Sequence, residues 1–264
     1  MLNILVCVKQ VPDINLVKMD PETGSLIRDG VPAILNPLDA CALEAALLVK
    51  KQYGAQVTCI SMGPDAAKEA LRECLAAGAD RAVLLSDRAF ANADTLATSY
   101  VIASAAKTLG SFDLVFCGKE SLDGATGQMA AQLAERFDTS LLSCVESIEN
   151  IAEDNKTVLV EREIESGFET TQASLPCLIT VEKTNYRSHI PNLESWKASR
   201  VAEITVFDSN TIPGLDPAQI GDPGSPTKVA RIYPPELGQL GLIIDEGNPE
   251  KDVDKLFALL GGVL

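Results

Sequence analysis

The first half of the chain alternates short apolar runs with amphipathic stretches, and this order constrains the fold more than any other feature of the sequence. Apolar runs typical of strands lie at residues 2–8, 56–61, 81–86 and 113–117. Helical patterns follow them at residues 38–53, 64–77, 93–109 and 125–137. A βαβα order predicts an α/β fold, in which a parallel sheet carries helices on both faces.

The second half of the chain has a different pattern. Strand-like segments separated by turns lie at residues 141–149, 157–163, 168–174 and 177–180, and they predict a β-rich extension of the same sheet. Residues 208–226 are rich in Pro, Gly and Asp, as in a linker or an arm lying on another surface. Residues 249–260 then form a helical pattern with Val253, Leu256 and Leu260 on one face, which needs a partner. We therefore predict a domain over residues 1–207 and an extended C-terminal arm with a helix over residues 208–264.

One loop, residues 118–128, has the composition of a ligand site. Its three glycines allow close backbone approach, while Asp123, Thr126 and Gln128 supply side chains able to bind phosphate or ribose oxygens. Ligands collect where the strands of a parallel sheet end, so the loops at 9–13, 36–39 and 62–64 should share its rim. The alternative is an ordinary strand-to-helix turn capped by Asp or Thr. The loop matches neither Gly-x-Gly-x-x-Gly nor the Walker pattern.

Composition excludes several classes of function. Lys+Arg 22 against Asp+Glu 37 gives a net charge of −15, which disfavours nucleic acid and anionic membranes and favours basic protein partners. We expect a cytoplasmic protein without membrane insertion, since no apolar run reaches transmembrane length and the start lacks the features of a signal peptide. The seven cysteines include no Cys-x-x-Cys pair and His189 is the only histidine, so we expect no metal site.

Seven short motifs are spread over nearly the whole chain. They are VKQVPD at residues 8–13, DGV at 29–31, LNP at 35–37, SMGP at 61–64, AGAD at 77–80, GK at 118–119 with the Asp123 loop, and VERE at 160–163 with Gly167 and ET at 169–170. Together they resemble the β (small) subunit of the electron-transferring flavoproteins. The resemblance implies an adenine-nucleotide-binding α/β domain paired with a larger α subunit, on which we expect the arm and helix of residues 208–264 to pack.

Two further motifs resemble the electron-bifurcating branch of this family. DGATGQ at residues 123–128 is similar to its nucleotide loop, and GSPTKV at 224–229 is similar to its C-terminal arm motif. Gly124 also leaves room where a carboxylate would repel a second phosphate. In that branch FAD occupies the β site and receives hydride from NADH, whereas in the other branch the site holds a structural AMP.

The resemblance also implies which residues hold the nucleotide. These cofactor-binding candidates are Cys7, Lys9, Asn36, Asp39, Met62, Gly63, Gly118, Ser121, Leu122, Asp123, Gly124, Ala125, Thr126, Gly127 and Gln128. We expect backbone contacts to adenine from Cys7 and Met62, and a polar clamp from Asn36 and Asp39. Two alternatives remain: Asn36 is a turn residue before the helix, and Cys7 and Met62 belong to the core.

The segment 186–196 resembles the family's partner-recognition loop, with Ile190, Leu193 and Trp196 as apolar anchors. The expected function is that of an electron-transfer subunit that binds FAD and, with the α subunit, takes electrons from NADH. It divides them between ferredoxin or flavodoxin and an acyl-CoA or other flavin dehydrogenase. One alternative is a non-bifurcating subunit with structural AMP. Another is a stand-alone adenine-nucleotide-binding signalling module, but the long arm after residue 208 is evidence against it. No residue is predicted to be catalytic.

Overall fold

The computed structural model describes most of the chain. The described residues are 1–13, 31–152, 154, 156–182, 190–228, 230, 241–245 and 247–261, with the backbone of two short strands at 18–19 and 26–27. His189 and the first part of the predicted recognition segment lie outside the described residues.

The secondary structure follows the predicted alternation. In chain order the strands are β1 (Leu2–Cys7), β2 (Gln10–Pro12), β3 (Lys18–Met19), β4 (Leu26–Ile27), β5 (Ala33–Leu35), β6 (Ala55–Met62), β7 (Arg81–Leu85), β8 (Leu114–Gly118), β9 (Ser140–Ile151), β10 (Thr157–Ile164), β11 (Gly167–Ser174), β12 (Cys177–Val181) and β13 (Thr205–Phe207). The helices are α1 (Pro37–Val49), α2 (Lys68–Ala77), α3 (Thr95–Leu109), α4 (Met129–Phe137), α5 (Leu193–Val201) and α6 (Pro249–Leu260).

Nine strands form one sheet in the order β11-β10-β9-β12-β8-β1-β6-β7-β13. The pairs from β9 to β13 are parallel, and β10 pairs antiparallel with both β9 and β11. The predicted α/β fold and its β-rich extension are therefore confirmed. The strand β12 lies inside the parallel part of the sheet, between β8 and β9, and all five of its residues are buried.

The sheet has a hydrophobic core on each face, because successive side chains of a strand point to opposite sides. On β1, Ile4 and Val6 pack with residues of α1 and α2, whereas Leu5 packs with residues of α3 and α4. Helices thus cover both faces, and the carboxyl ends of β1, β6 and β8 lie side by side at one edge.

Some element boundaries differ from the predicted ones. The helix predicted from residue 125 begins at Met129, because Ala125 (φ 44°) and Gly127 (φ 61°) have left-handed backbone conformations that an α-helix does not accommodate. The helix predicted over 64–77 begins as a single 3₁₀ turn at Asp65–Ala67 and becomes α-helical at Lys68. Both shifts lengthen the loops that follow the strands.

We refer to residues 208–228 as the arm. The arm packs on the domain, with Ile212 (2% exposed) and Ile220 (4% exposed) in the core that also contains α3 and α4. By contrast, α6 has no buried residue, and its apolar side chains Val253, Leu256 and Leu260 are 44–49% exposed. Among the described residues, the structure contains no helix with the length and apolar character needed to cross a membrane.

Candidate functional site

The candidate site lies at the edge where β1 and β8 end, and a buried carboxylate joins these two strand ends. Asp39, in the first turn of α1, is 7% exposed. Its Oδ2 accepts the backbone amide of Lys9 at 2.8 Å, and its Oδ1 accepts the amide of Gly118 at 3.1 Å. Burial raises the pKa of Asp39 to about 7, although hydrogen bonds from Lys9, Asn36 and Gly118 oppose the rise. The carboxylate therefore fixes the spacing of the two strand ends.

Gly118 is required by packing at this point. A Cβ atom on Gly118 would lie 2.6 Å from Asp39 Oδ1 and 2.7 Å from the carbonyl carbon of Leu38. Such distances are too short for any side chain. The sequence predicted that this glycine admits a ligand, whereas the structure shows that it admits the first turn of α1.

Asn36 anchors the start of the 118–128 loop. Its side chain is fully buried, its Nδ2 donates to Glu120 O at 2.9 Å, and its Oδ1 accepts the amide of Leu122 at 3.2 Å. Asn36 precedes Pro37, the first residue of α1, but its side chain does not cap that helix. The side chain is thus committed to the loop backbone.

Beyond this anchor the 118–128 loop reaches solvent. The amide of Ala125 donates to Ser121 O at 2.8 Å, which closes a turn, and residues 123–128 are exposed. The alternative interpretation was a turn capped by Asp123 or Thr126. The structure contradicts it, because Gln128 occupies the N-cap position of α4 and no side chain caps this helix. The exposed part of the loop presents its backbone, the Thr126 hydroxyl and the Gln128 carboxamide.

Both lysines beside the loop form ion pairs. Lys9 Nζ lies 2.7 Å from Asp123 Oδ1 and 2.8 Å from Oδ2, and Lys119 Nζ lies 2.8 Å from Glu182 Oε1. Burial raises the pKa of Asp123, but hydrogen bonds from Lys9 and Ser121 outweigh this effect and leave the pKa below its ordinary value. An incoming phosphate would therefore compete with Asp123 for the Lys9 ammonium group.

Gln128 is oriented by a residue that the sequence analysis did not identify. The hydroxyl of Thr95, the first residue of α3, donates to Gln128 Oε1 at 2.8 Å and accepts from Gln132 Nε2 at 3.2 Å. Among the described residues, Gln128 Nε2 has no acceptor, so the amide group remains available as a donor. Thr95 follows Asp94, a helix-capping residue, and nothing in the sequence around Thr95 indicates a contact with the 118–128 loop.

The remaining candidates lie at the ends of β1 and β6. Cys7 is 9% exposed and stands opposite Cys117 in the sheet, so its thiol belongs to the core and only its backbone faces the edge. Met62 is half-buried and packs against the same core. The next residue, Gly63, donates its amide to Leu85 O at 3.0 Å. These two strand ends extend the edge formed by the 118–128 loop.

The predicted partner-recognition residues lie on a separate surface. Ile190, Leu193 and Trp196 are 88%, 67% and 50% exposed, and the last two belong to α5. The predicted segment is therefore in part a helix. Arg72 of α2 donates to Ser199 O at 2.7 Å, which fastens α5 to the domain while leaving the apolar anchors exposed. A groove of about 480 Å³ between α1, α2 and α5 has Trp196 in its wall and contains none of the cofactor-binding candidates.

Comparison with known proteins gives matches over most of the chain. Residues 23–211 match the family model described as "Electron transfer flavoprotein domain". The chain is 46% identical over 235 residues to "Caffeyl-CoA reductase-Etf complex subunit CarD" of Acetobacterium woodii, covering 89% of this chain and 88% of CarD. It is 43% identical over 245 residues to "Electron transfer flavoprotein subunit beta" of Clostridium acetobutylicum, covering 93% of each. It is 40% identical over 239 residues to "Protein FixA" of Azotobacter vinelandii, covering 89% of this chain and 85% of FixA.

Proposed function

Because the chain belongs to the electron transfer flavoprotein family and is similar to subunits named beta, we propose that it binds FAD at the 118–128 loop. With an α subunit it takes electrons from NADH in the cytoplasm. The complex divides these electrons between a low-potential carrier, ferredoxin or flavodoxin, and a partner flavin dehydrogenase.

The observation that carries this proposal is the anchored base and exposed tip of the 118–128 loop. Asn36 and Asp39 are buried and hold the base of the loop, while residues 123–128 are exposed. A site with a fixed base loses little conformational freedom when a ligand binds. This arrangement suits a ligand that accepts several hydrogen bonds at once.

The donors of the loop fit a diphosphate. Backbone amides, the Thr126 hydroxyl and the Gln128 Nε2 group would be able to donate to phosphate oxygens, and Lys9 would add a positive charge on leaving Asp123. Gly124 also carries no side chain in the exposed part of the loop, where a carboxylate would repel a second phosphate. The absence of a side chain there supports FAD, with two phosphates, over AMP, with one.

These contacts assign separate roles to the flavin and to the residues of this chain. A bound flavin supplies the electron-transfer chemistry. The residues of this chain bind and orient the nucleotide, and none of them is assigned a catalytic role. The exposed anchors Leu193 and Trp196 are available for a partner, and the name of CarD places that relative in a caffeyl-CoA reductase–Etf complex. We therefore propose a dehydrogenase that acts on acyl-CoA or a related substrate as the acceptor.

Nucleotide extraction from the purified αβ complex tests the proposal. We expect about two FAD per heterodimer and little AMP. One FAD with stoichiometric AMP, in protein never exposed to added nucleotide, would overturn bifurcation in favour of the non-bifurcating subunit. A chain that carries adenine nucleotide but assembles with no α subunit would support the signalling module instead.

A further inference from the structure

The arm is seated on the residue that caps α3. Ser225 is 4% exposed, and its Oγ accepts the amide of Asp94 at 2.8 Å and donates to Gly221 O at 2.6 Å. The Asp94 carboxylate accepts the amide of Thr227 at 3.0 Å through Oδ2 and the amide of Ala97 at 3.1 Å through Oδ1. The Asp94 carboxylate thus accepts hydrogen bonds from both the arm and the first turn of α3.

The packing of the arm on the domain leaves little room for the arm to move. A Cβ atom on Gly221 would lie 2.1 Å from Ala89 O of the domain, and one on Gly224 would lie 2.1 Å from the carbonyl carbon of Gln219 within the arm. Backbone therefore packs directly against backbone at both glycines. Because Ile220, which directly precedes Gly221, is 4% exposed, this part of the arm lies in a single well-defined position.

From the cap of α3 the contacts continue to the 118–128 loop. Thr95 follows Asp94 in the chain, accepts from Gln132 Nε2, and donates its single hydroxyl proton to Gln128 Oε1. The Thr95 hydroxyl thus accepts one hydrogen bond from Gln132 and donates one to Gln128. As a result, the position of the first turn of α3 determines which group of the Gln128 carboxamide faces outward.

We propose that Ser225, Asp94 and Thr95 are positioning residues for the 118–128 loop, through which the seated arm orients Gln128 for nucleotide binding. This inference rests on the proposed function only in naming a nucleotide as the ligand of the loop. By linkage, the factor by which the bound arm favours nucleotide binding is also the factor by which a bound nucleotide stabilises the arm in this position.

Hydrogen–deuterium exchange of the αβ complex, purified without added nucleotide, tests this connection. The reporters are three hydrogen-bonded amides of the loop and of α4, namely those of Leu122, Ala125 and Gln132. We expect Ser225→Ala to accelerate exchange in both the arm and these reporters. We expect Thr95→Val to accelerate exchange at the reporters alone, roughly fivefold, as for the loss of one ordinary hydrogen bond.

Three further variants keep the test decisive. Thr95→Ser retains the hydroxyl and should restore slow exchange, which a purely structural role of Thr95 does not require. Thr227→Pro removes the amide that reaches Asp94 without altering a buried side chain, and it replaces Ser225→Ala if that variant does not fold. Ser209→Ala is the control, because Ser209 fastens the arm to Asp87 and makes no hydrogen bond to Ser225, Asp94 or Thr95.

The connection is overturned if exchange rises in the arm of Ser225→Ala or Thr227→Pro while the reporter amides stay at the wild-type rate. It is also overturned if Thr95→Ser and Thr95→Val exchange alike. Neither result depends on the identity of the nucleotide, so failure of the proposed function, read from nucleotide extraction, is a separate outcome.

Discussion

Asp39 Oδ1 and the amide of Gly118 lie 3.1 Å apart although 79 residues separate them in the sequence. The same carboxylate accepts the amide of Lys9 at 2.8 Å. A buried acid with a pKa of about 7 thus joins the two strand ends on which the candidate site is built. This contact leads to a prediction about pH.

Asp39→Asn should change the pH dependence of stability. The folded-state pKa of Asp39 is raised from 3.8 to about 7, so between pH 4 and 7 the folded protein holds more protons than the unfolded chain. Wild-type stability then falls as pH rises through this window, by up to about 4 kcal/mol, and the fall ends above the folded pKa. Asparagine does not titrate, so the variant gains relative stability from pH 4 to 7 and none above pH 8. Urea unfolding across this range measures the difference, and a constant difference would contradict it.

Gly118→Ala should destabilise the protein, with Gly124→Ala as its matched control. The new methyl group at 118 would lie 2.6 Å from Asp39 Oδ1, whereas at 124 it would lie 3.3 Å from the Ser121 hydroxyl. Overpacking of the first kind costs about 1–3 kcal/mol. We expect a lower melting temperature for Gly118→Ala and little change for Gly124→Ala. Equal melting temperatures would show that β8 and α1 are not packed as described.

Thr126→Val should weaken FAD binding without affecting the fold. Thr126 is exposed, and valine keeps its volume but lacks the hydroxyl. The loss of one hydrogen bond to a phosphate should cost roughly 1 kcal/mol or more, about fivefold in the dissociation constant. Titration of the complex with FAD measures it. Thr126→Ser retains the hydroxyl and should bind like wild type, and loss of binding in both variants would count against the hydroxyl.

Leu256→Asp should weaken assembly with the α subunit. Leu256 is 44% exposed on the apolar face of α6, and burial of a carboxylate at such a contact opposes association. We expect a loss of about 2 kcal/mol or more, as for a central interface residue. Lys251→Ala, on the opposite face of the same helix, is the control. Equal affinities of the two variants, measured by calorimetry, would place the interface elsewhere.

Leu193→Ala should slow electron delivery to the dehydrogenase while leaving reduction by NADH intact. Leu193 is 67% exposed at the start of α5, and truncation of such an anchor costs about 1 kcal/mol or more at an interface. Val201→Ala, at the end of the same helix and 87% exposed, serves as control. Stopped-flow measurement of both steps checks the prediction. A parallel loss of both activities would exclude a docking role.

The architecture of the domain was predictable because the spacing of apolar residues within each local segment indicates which of its side chains are buried. The alternation through α4 and the extent of α6 both followed from it. The start of α4 was not predictable, since Ala125 adopts a positive φ in a position that sequence alone favours for helix. Ala125 instead belongs to the turn that its amide closes by donating to Ser121 O.

The candidate site was predictable as a set of loops but not as a set of contacts. The sequence placed Asn36, Asp39 and the 118–128 loop at one edge of the sheet, where the structure brings them together. It did not reveal that Asn36 and Asp39 hold the loop backbone, or that Thr95 orients Gln128. Hydrogen bonds between residues far apart in the chain leave no local pattern.

The position of β12 has a consequence for the nascent chain. This strand pairs with β8 on one side and β9 on the other, yet it follows both in the sequence. Until Val181 has left the ribosome, β8 is paired only with β1, and its entirely buried sequence presents an open edge. An apolar edge of this kind is a template for misassociation with other chains. The sheet is therefore completed by one late segment, and a chain interrupted before residue 177 leaves β8, whose five residues are all buried in the folded protein, without a partner on that edge.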